Sequence, residues 1–531
     1  MNTQHGGRQP IAIVLLLLLL LPALYLMVRL PIYNSYDALT HIARISEFHQ
    51  ALLLGSFPPR IAPTIIGSIG YPLFIVNYQL PYFFAEIFMV FFNNQLLSFK
   101  AVMSITYILS GVFAYFLFKK HASTLSSLVG AVIYCYLPYR FGNLYYRGSL
   151  GESASLMFVP LVLLSLNSVM GKNKFGVTFL SLSIFGLITT HTVIFLIFAP
   201  VFTLYTLVIL KPNRLSLIKI SLGVLFGVAA SAYQLLPSVF EKKYLKFDQS
   251  LLAIYQGQFV KFPQLYRLPG FGVNLGTSIQ AGLVSALVIF AGLVIYIFKR
   301  DYKLLLFLTV CFAASFLAIG QSQWLWDHIT LLKVVIFPWR FISIIILCVS
   351  FLVVIELDFL RIKWAKFALS LLLVSLTFYT SRHYFLNSGV AEQIYPPQSL
   401  SHFAENDPVW SSGETYFEKP LFTAPPTVTS QSAIINPYHL KLNVTSTEAS
   451  QWAVIRRLYF PGWRATVNNQ QSKIYPSGGL IALKLPFGAS IVDLSYQQTT
   501  LERFANFISL FTLVLVLSLP FIRQKFLKWI L

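Results

Sequence analysis

Near the start of the chain stand Ile11-Ala12-Ile13-Val14, an unbroken run of leucine from Leu15 to Leu21, and then Pro22-Ala23-Leu24-Tyr25-Leu26-Met27-Val28-Arg29-Leu30-Pro31. About twenty apolar residues are what a helix needs to cross roughly 30 Å of bilayer hydrocarbon. The block is too long for the core of a cleavable signal, and its exit lacks the small-residue pattern of a cleavage site. It reads as an uncleaved anchor, with Arg8 and the N-terminus on the cytoplasmic side.

The same pattern repeats along the chain. Of 531 residues 56% are hydrophobic, above the roughly 45–50% of soluble domains. Only 11% are charged, yet the net charge is +21. Such a charge could suggest nucleic acid, but no arginine-rich or aromatic RNA-binding signature accompanies it. The cations sit instead in short loops between apolar blocks: Lys119-Lys120-His121, Lys172-Asn173-Lys174, Lys211 to Arg214, Lys299 to Lys303, Arg361 to Lys366 and Arg523 to Lys528. Loops of this kind face the cytoplasm. Cys135, Cys311 and Cys348 lie inside apolar blocks and read as small buried hydrophobes.

If each basic loop is cytoplasmic, neighbours are separated by an even number of crossings. The blocks then pair into outward hairpins, the tightest at about 176–190 and 192–210. The segment at about 72–92 carries Asn77, Gln79, Pro81 and Glu86, and reads as re-entrant or interfacial. The total is about twelve crossings. From about Ser381 the pattern changes to alternation, as in His439-Leu440-Lys441-Leu442-Asn443-Val444 and Ile491-Val492-Asp493-Leu494-Ser495-Tyr496, with turns at Pro461-Gly462 and Gly478-Gly479. That predicts an antiparallel β-sandwich. The expected architecture is a polytopic α-helical membrane protein. A transmembrane core covers 1–380, with its first outer loop at 31–72. An extracytoplasmic β-sandwich follows at 381–502, then a last helix and basic cytoplasmic tail at 503–531.

Ionisable residues near membrane depth are functional candidates. After Asn34-Ser35, helical spacing puts Asp37, His41 and Arg44 on one face, and Ile42, Ile45, His49 and Leu53 on another. This predicts an amphipathic helix lying on the outer leaflet, although Asp37 also suits a helix cap. The second outer loop runs Tyr139-Arg140-Phe141-Gly142-Asn143-Leu144-Tyr145-Tyr146-Arg147-Gly148-Ser149-Leu150-Gly151-Glu152. Its rings, Tyr146 among them, can stack on a sugar or anchor at the interface. Arg147 can grip a phosphate or simply snorkel. His191 marks a hairpin tip, and Phe337-Pro338-Trp339-Arg340 the mouth of a crossing. An arginine there needs an anionic partner, which a lipid phosphate would provide. Glu356-Leu357-Asp358 reads as a solvated helix end and Glu405-Asn406-Asp407 as a turn. There is no P-loop, no HExxH, no G-x-S-x-G and no dinucleotide fingerprint.

An anchor, an outer loop with an acid on a helix, a polytopic core and an exported β-domain together resemble the GT-C superfamily of membrane glycosyltransferases. More closely, Asp37 to Arg44, Gly70-Tyr71-Pro72, Tyr146-Arg147-Gly148 with Glu152, Phe337-Pro338-Trp339-Arg340 and Tyr459-Phe460-Pro461-Gly462-Trp463 resemble the bacterial membrane family labelled 6-pyruvoyl-tetrahydropterin-synthase-related. Nothing in the chain resembles the soluble pterin enzyme or its zinc histidines. The resemblance implies a glycosyltransferase in which Asp37 matches the first-loop catalytic acid. The second acidic position, an Asp in many members, has only Glu152 here.

An outward site implies a donor carried by the membrane, and a polyprenyl-phosphate sugar fits. In this reading Asp37 is the general base, His41 orients it or tunes its pKa, and Glu152 takes the second acidic role. Arg44, Arg147 and Arg340 bind the lipid phosphate; Trp339, Tyr146 and His191 complete the substrate site. Trp410 and Trp452 are candidate glycan platforms, whereas Trp463 beside its Pro-Gly turn suits core packing. No cofactor is firmly implied, and a divalent metal would find a thin ligand set. The acceptor is a glycan, lipid or protein. Two alternatives are a transporter or flippase for lipid-linked sugars, which should show paired repeats, and a non-catalytic envelope assembly protein.

Overall fold

The computed structural model describes residues 8–29, 35–171, 173–247, 253–268, 279–386, 404–417 and 420–521. Asn34 and the basic tail from Arg523 lie outside them.

The main helices are α1 (Arg8–Leu20), α2 (Ala38–Leu53), α3 (Leu80–Phe92), α4 (Gln95–Lys119), α5 (Thr124–Tyr136), α6 (Leu150–Met170), α7 (Gly176–Leu204), α8 (Arg214–Ala230) and α9 (Ala232–Phe240). They continue with α10 (Leu283–Lys299), α11 (Tyr302–Ala318), α12 (Ile342–Phe359), α13 (Lys363–Leu386) and α14 (Thr500–Ser518). Local polar chemistry fixes many of their ends. Asn93 adopts a left-handed conformation (φ 45°) and closes α3; the Asn94 side chain then accepts from Leu97 N and opens α4. Asp301 opens α11 in the same way, and a Thr499–Glu502 capping box opens α14.

Among the described residues, seven helices are long and apolar enough to cross a membrane, or eight if α8 and α9, bent by 65°, count as one. Length gives fewer crossings than the loop pattern because α3, α5, α10 and α11 are apolar but shorter. One long stretch is in fact a pair. Gly176–Leu210 contains 35 residues, about 52 Å if straight, but His191 breaks it (φ −164°, ψ 94°). Gly176 lies against Val169, and Asn167 Nδ2 donates to Tyr205 OH at 2.7 Å. Both ends thus meet the same end of α6, so the two halves fold back as a hairpin with His191 at its tip.

The outer helix α2 departs from expectation. It does not lie on a surface: Thr40, His41, Ile42, Ala43, Arg44, Ile45, Glu47 and Phe48 are all buried. Its polar residues found internal partners. Glu47 accepts from Thr64 N at 2.8 Å, and His49 pairs with Glu86 of α3 at 2.9 Å.

At the C-terminal end, nine strands among the described residues form two antiparallel sheets. One has the order β1 (Phe422–Thr423), β4 (Gln451–Leu458), β8 (Leu480–Leu485), β7 (Tyr475–Ser477). The other runs β2 (Val428–Asn436), β3 (His439–Ser446), β9 (Gly488–Tyr496), β5 (Trp463–Val467), β6 (Gln470–Ser472). Leu440, Leu442, Val444, Ile455, Ile481, Leu483, Val492 and Leu494 fill the space between them. Trp463 belongs to that core at 3% exposure, whereas Trp452 is exposed. Trp410 stacks on Tyr244 rather than facing solvent alone. The sandwich is seated on the first outer loop: Leu458 N donates to Ile69 O at 2.8 Å, and Tyr438 OH to Ile61 O at 2.6 Å.

The Glu356-Leu357-Asp358 end of α12 is solvated at Asp358, as expected, and also clamps neighbouring helices. Asp358 accepts from Ser123 N, Ser123 Oγ and Ser126 Oγ at 2.7–2.9 Å and pairs with Lys366. Glu356 is buried beside Gly292. Next to this clamp His121 Nε2 meets Tyr205 OH at 2.6 Å. Burial, then Lys303 and Lys120, lower the His121 pKa to about 4. The unfolded chain therefore takes up this proton first, and stability present above pH 6.5 is lost as pH falls toward 4. The expected loss from this group by pH 5 is about 2 kcal/mol. Thermal unfolding in detergent at pH 7 and pH 5 checks this: His121→Asn should shrink the difference.

Candidate functional site

The first two outer loops are joined through their backbones. Tyr36 N donates to Tyr146 O at 3.1 Å and Asp37 N to Arg147 O at 2.7 Å. Gly148 makes the contact close. Its φ is +63°, and a Cβ there would stand 2.7 Å from both Ala38 Cβ and Ser35 Oγ. Gly148→Ala is therefore expected to part the loops and lower activity at this site about 100-fold, since a misplacement near 1 Å has that scale of effect. A turnover assay normalised to membrane abundance reads the change.

Asp37 stands at the start of α2 but does not cap it with its side chain. Ser35 Oγ accepts from Ala38 N instead, at 3.1 Å. The Asp37 carboxylate is left about one-third exposed, 3.7 Å from Arg147 Nη2. Arg147 in turn donates through Nη1 to Asn143 Oδ1 at 2.6 Å and to Glu152 Oε2 at 2.7 Å. Its guanidinium lies 4.5 Å from the centre of the Trp339 ring. Arg340 Nε reaches the same Glu152 oxygen at 3.3 Å, and its Nη1 donates to Val335 O at 2.7 Å. Phe337 and Trp339 flank Arg340 with their rings. Asp37, Glu152, Arg147 and Arg340 thus form one continuous cluster drawn from three separate stretches of chain.

Glu152 is not placed as a base. It is fully buried in the first turn of α6, where a helix N-terminus favours an anion. Tyr139 OH and Asn143 Nδ2 occupy Oε1, while Arg147 and Arg340 occupy Oε2. Four donors leave it no open lone-pair direction toward a substrate proton. The residue expected as the second catalytic acid thus bridges the two arginines.

His41, expected to orient Asp37 or tune its pKa, turns its ring to two tyrosines. Its Nδ1 lies 3.0 Å from Tyr82 OH and its Nε2 3.4 Å from Tyr78 OH, so the ring does not orient Asp37. Burial, then the charges of Arg44, Arg147 and His191, hold its pKa well below the usual imidazole value. Arg44 turns to Asn77 Oδ1 at 3.2 Å. Asn77 Nδ2 continues to Asn406 Oδ1 at 3.2 Å, and Tyr71 OH donates to Asp407 at 3.0 Å. The Glu405-Asn406-Asp407 turn is therefore part of the wall around α2. His191 packs against Tyr78 with ring centres 5.6 Å apart. Its Nδ1 accepts from Ile194 N at 3.3 Å, a cap for the second half of the hairpin. Tyr146 stands aside, edge-on to Tyr384.

Arg140 points the other way from its neighbour Tyr139. Its Nη2 donates to Ser110 Oγ at 2.6 Å, and the rings of Tyr107 and Tyr134 each lie 5.3 Å from its guanidinium.

Several partners escaped the sequence reading. Tyr139, Asn143 and Arg147 recur at every fourth residue, a readable signal of one shared face. Tyr78 and Tyr82 left no such trace; Gly151 admits Tyr78, since a Cβ there would sit 2.2 Å from its ring. Among the described residues no three of His, Cys, Asp and Glu gather as a metal site would require.

Among solved structures the chain resembles ArnT from Cupriavidus metallidurans, crystallised with undecaprenyl phosphate, at 11% identity and a TM-score of 0.44; the match covers 76% of this chain and 69% of that one. It also resembles the oligosaccharyltransferase of Archaeoglobus fulgidus in its apo form, at 11% identity and a TM-score of 0.45, over 78% of this chain and 58% of that one. No curated protein matches in sequence. Residues 76–386, more than half of the chain, match the family of membrane proteins described as the 6-pyruvoyl-tetrahydropterin synthase related domain. That stretch holds Tyr139, Arg147, Glu152 and Arg340, and by this match the chain belongs to that family.

Proposed function

We propose that this protein is a membrane glycosyltransferase that moves a sugar from a polyprenyl-phosphate donor to an acceptor on the outer face of the cytoplasmic membrane. The N-terminus and basic loops face the cytoplasm and the β-domain lies outside. One observation carries the reading: a partly exposed carboxylate, Asp37, borders an arginine whose other donors are held by a buried acid shared with a second arginine.

The contacts suggest an exchange. Asp37 to Arg147, at 3.7 Å and at the exposed edge, is the loosest link of the cluster. A donor phosphate approaching Arg147 takes that place. Arg147 and Arg340 then stabilise the negative charge that grows on the phosphate as the glycosidic bond breaks. Asp37, released, accepts the proton of the acceptor hydroxyl while its oxygen attacks the anomeric carbon. The phosphate leaves with the bonding electrons, and direct displacement inverts the anomeric centre. Trp339, buried with its ring centre 4.5 Å from the Arg147 guanidinium, steadies that arginine for the phosphate.

Membranes containing the protein should transfer label from a radiolabelled polyprenyl-phosphate sugar. Transfer supported by nucleotide sugars alone, with the lipid-linked donor inert, would overturn the donor assignment. Movement of intact lipid-linked sugar across the membrane without bond cleavage would favour the transporter.

A further inference from the structure

At the end of the helix bundle away from this cluster, a groove of about 710 Å³ opens between α6 and the first half of α7. That volume lies within the range of small-molecule sites. Phe158, Leu161, Leu164 and Leu182 form its walls, and Lys120 and Asn173 stand at its mouth. Its inner end is closed, because Phe158 lodges over Gly186, where a Cβ would come within 2.1 Å of the ring. From Phe158 to the mouth at Gly171 the groove follows α6 for roughly 20 Å, close to the depth of one leaflet of a bilayer about 30 Å thick. The mouth is braced by a polar chain, Asn167 to Tyr205 at 2.7 Å and Tyr205 to His121 at 2.6 Å. Gly171 lies roughly 28 Å along α6 from Glu152, so this is not the site described above.

We propose that the groove binds one anionic phospholipid from the leaflet at the basic end of the bundle, with an acyl chain along α6 and the phosphate on Lys120. An apolar trench as deep as a leaflet suits a chain rather than a soluble solute. A lysine at its mouth, among the basic loops, selects a net negative headgroup over a zwitterionic one. The groove is independent of any transferase activity.

The test uses the full chain purified in a neutral detergent. Thermal unfolding and native mass spectrometry are followed with added phosphatidylglycerol, phosphatidylcholine or glycerol phosphate. Phosphatidylglycerol should raise Tm and remain bound; phosphatidylcholine should bind several-fold more weakly, and glycerol phosphate not at all. Lys120→Gln, at an exposed position, should cost about fivefold in phosphatidylglycerol affinity, the scale of one lysine near a membrane surface. Leu161→Trp should fill the groove and remove retention. Equal binding of the two lipids with no effect of Lys120→Gln overturns the proposal, as does binding of glycerol phosphate alone. If Leu161→Trp does not fold, Lys120→Gln decides.

Discussion

Asp37→Asn is expected to abolish sugar transfer while the protein stays in the membrane at its normal level. Asparagine keeps the shape of the side chain and leaves the backbone bond from residue 37 to Arg147 O intact. The lost ion pair is long and partly exposed, so the stability cost should be below about 1 kcal/mol. The catalytic cost is much larger, because a positioned general base contributes about 10²- to 10⁴-fold. The measurement is transfer of label from a polyprenyl-phosphate sugar, normalised to protein abundance. Transfer at the wild-type rate would sink the assignment of Asp37 as base. Loss of the glycan product with the protein retained argues against a passive assembly role.

Glu152 should behave in the opposite way. Glu152→Ala leaves Arg147 and Arg340 facing each other in a buried setting without their shared counter-charge. Removing one partner of a buried ionic group costs about 3–5 kcal/mol, enough to reduce abundance sharply. Glu152→Gln keeps volume and still loses the charge, so it should also unfold at lower temperature. A second change, Arg340→Leu, removes one of the stranded cations. The pair Glu152→Gln with Arg340→Leu is expected to recover part of the abundance but none of the transfer. If Glu152→Gln instead lost activity at full stability, Glu152 would return to the chemistry.

The charges of the site were legible because each interrupts an apolar stretch. Asp37, Arg147, Glu152 and Arg340 stand out for the cost of placing them there, and the structure brings all four into one cluster. The sandwich was legible from alternation, as in Leu440, Leu442 and Val444, which all face its core. The orientation of α2 was not. Periodicity placed Asp37, His41 and Arg44 on one face of a helix lying on the outer leaflet, but it cannot see that Tyr82 of α3, with Tyr78 and Asn77 before it, supplies internal partners. Tyr78 and Tyr82 are neutral and aromatic, so in a membrane protein they look like any interfacial ring. The role of Glu152 depended on how many donors reach it, and Tyr139 and Asn143 point there only once the turn before α6 has been built.

The divergence of Tyr139 and Arg140 makes this turn intolerant of any change in length. Two adjacent side chains are committed to opposite neighbours: a phenol to Glu152, and a guanidinium to the tyrosines of α4 and α5. Deleting one residue after Leu137 presents the Arg140 guanidinium to the acid and the Phe141 ring to the tyrosines, whereas inserting one presents the Tyr139 phenol to the tyrosines and Pro138 to the acid. Substitutions within this turn should therefore reduce abundance by degrees, whereas single-residue insertions and deletions should eliminate it, a contrast that a scan of both kinds across 138–147 would reveal. Between relatives, the length of this stretch is therefore expected to vary less than its composition outside Tyr139, Asn143 and Arg147.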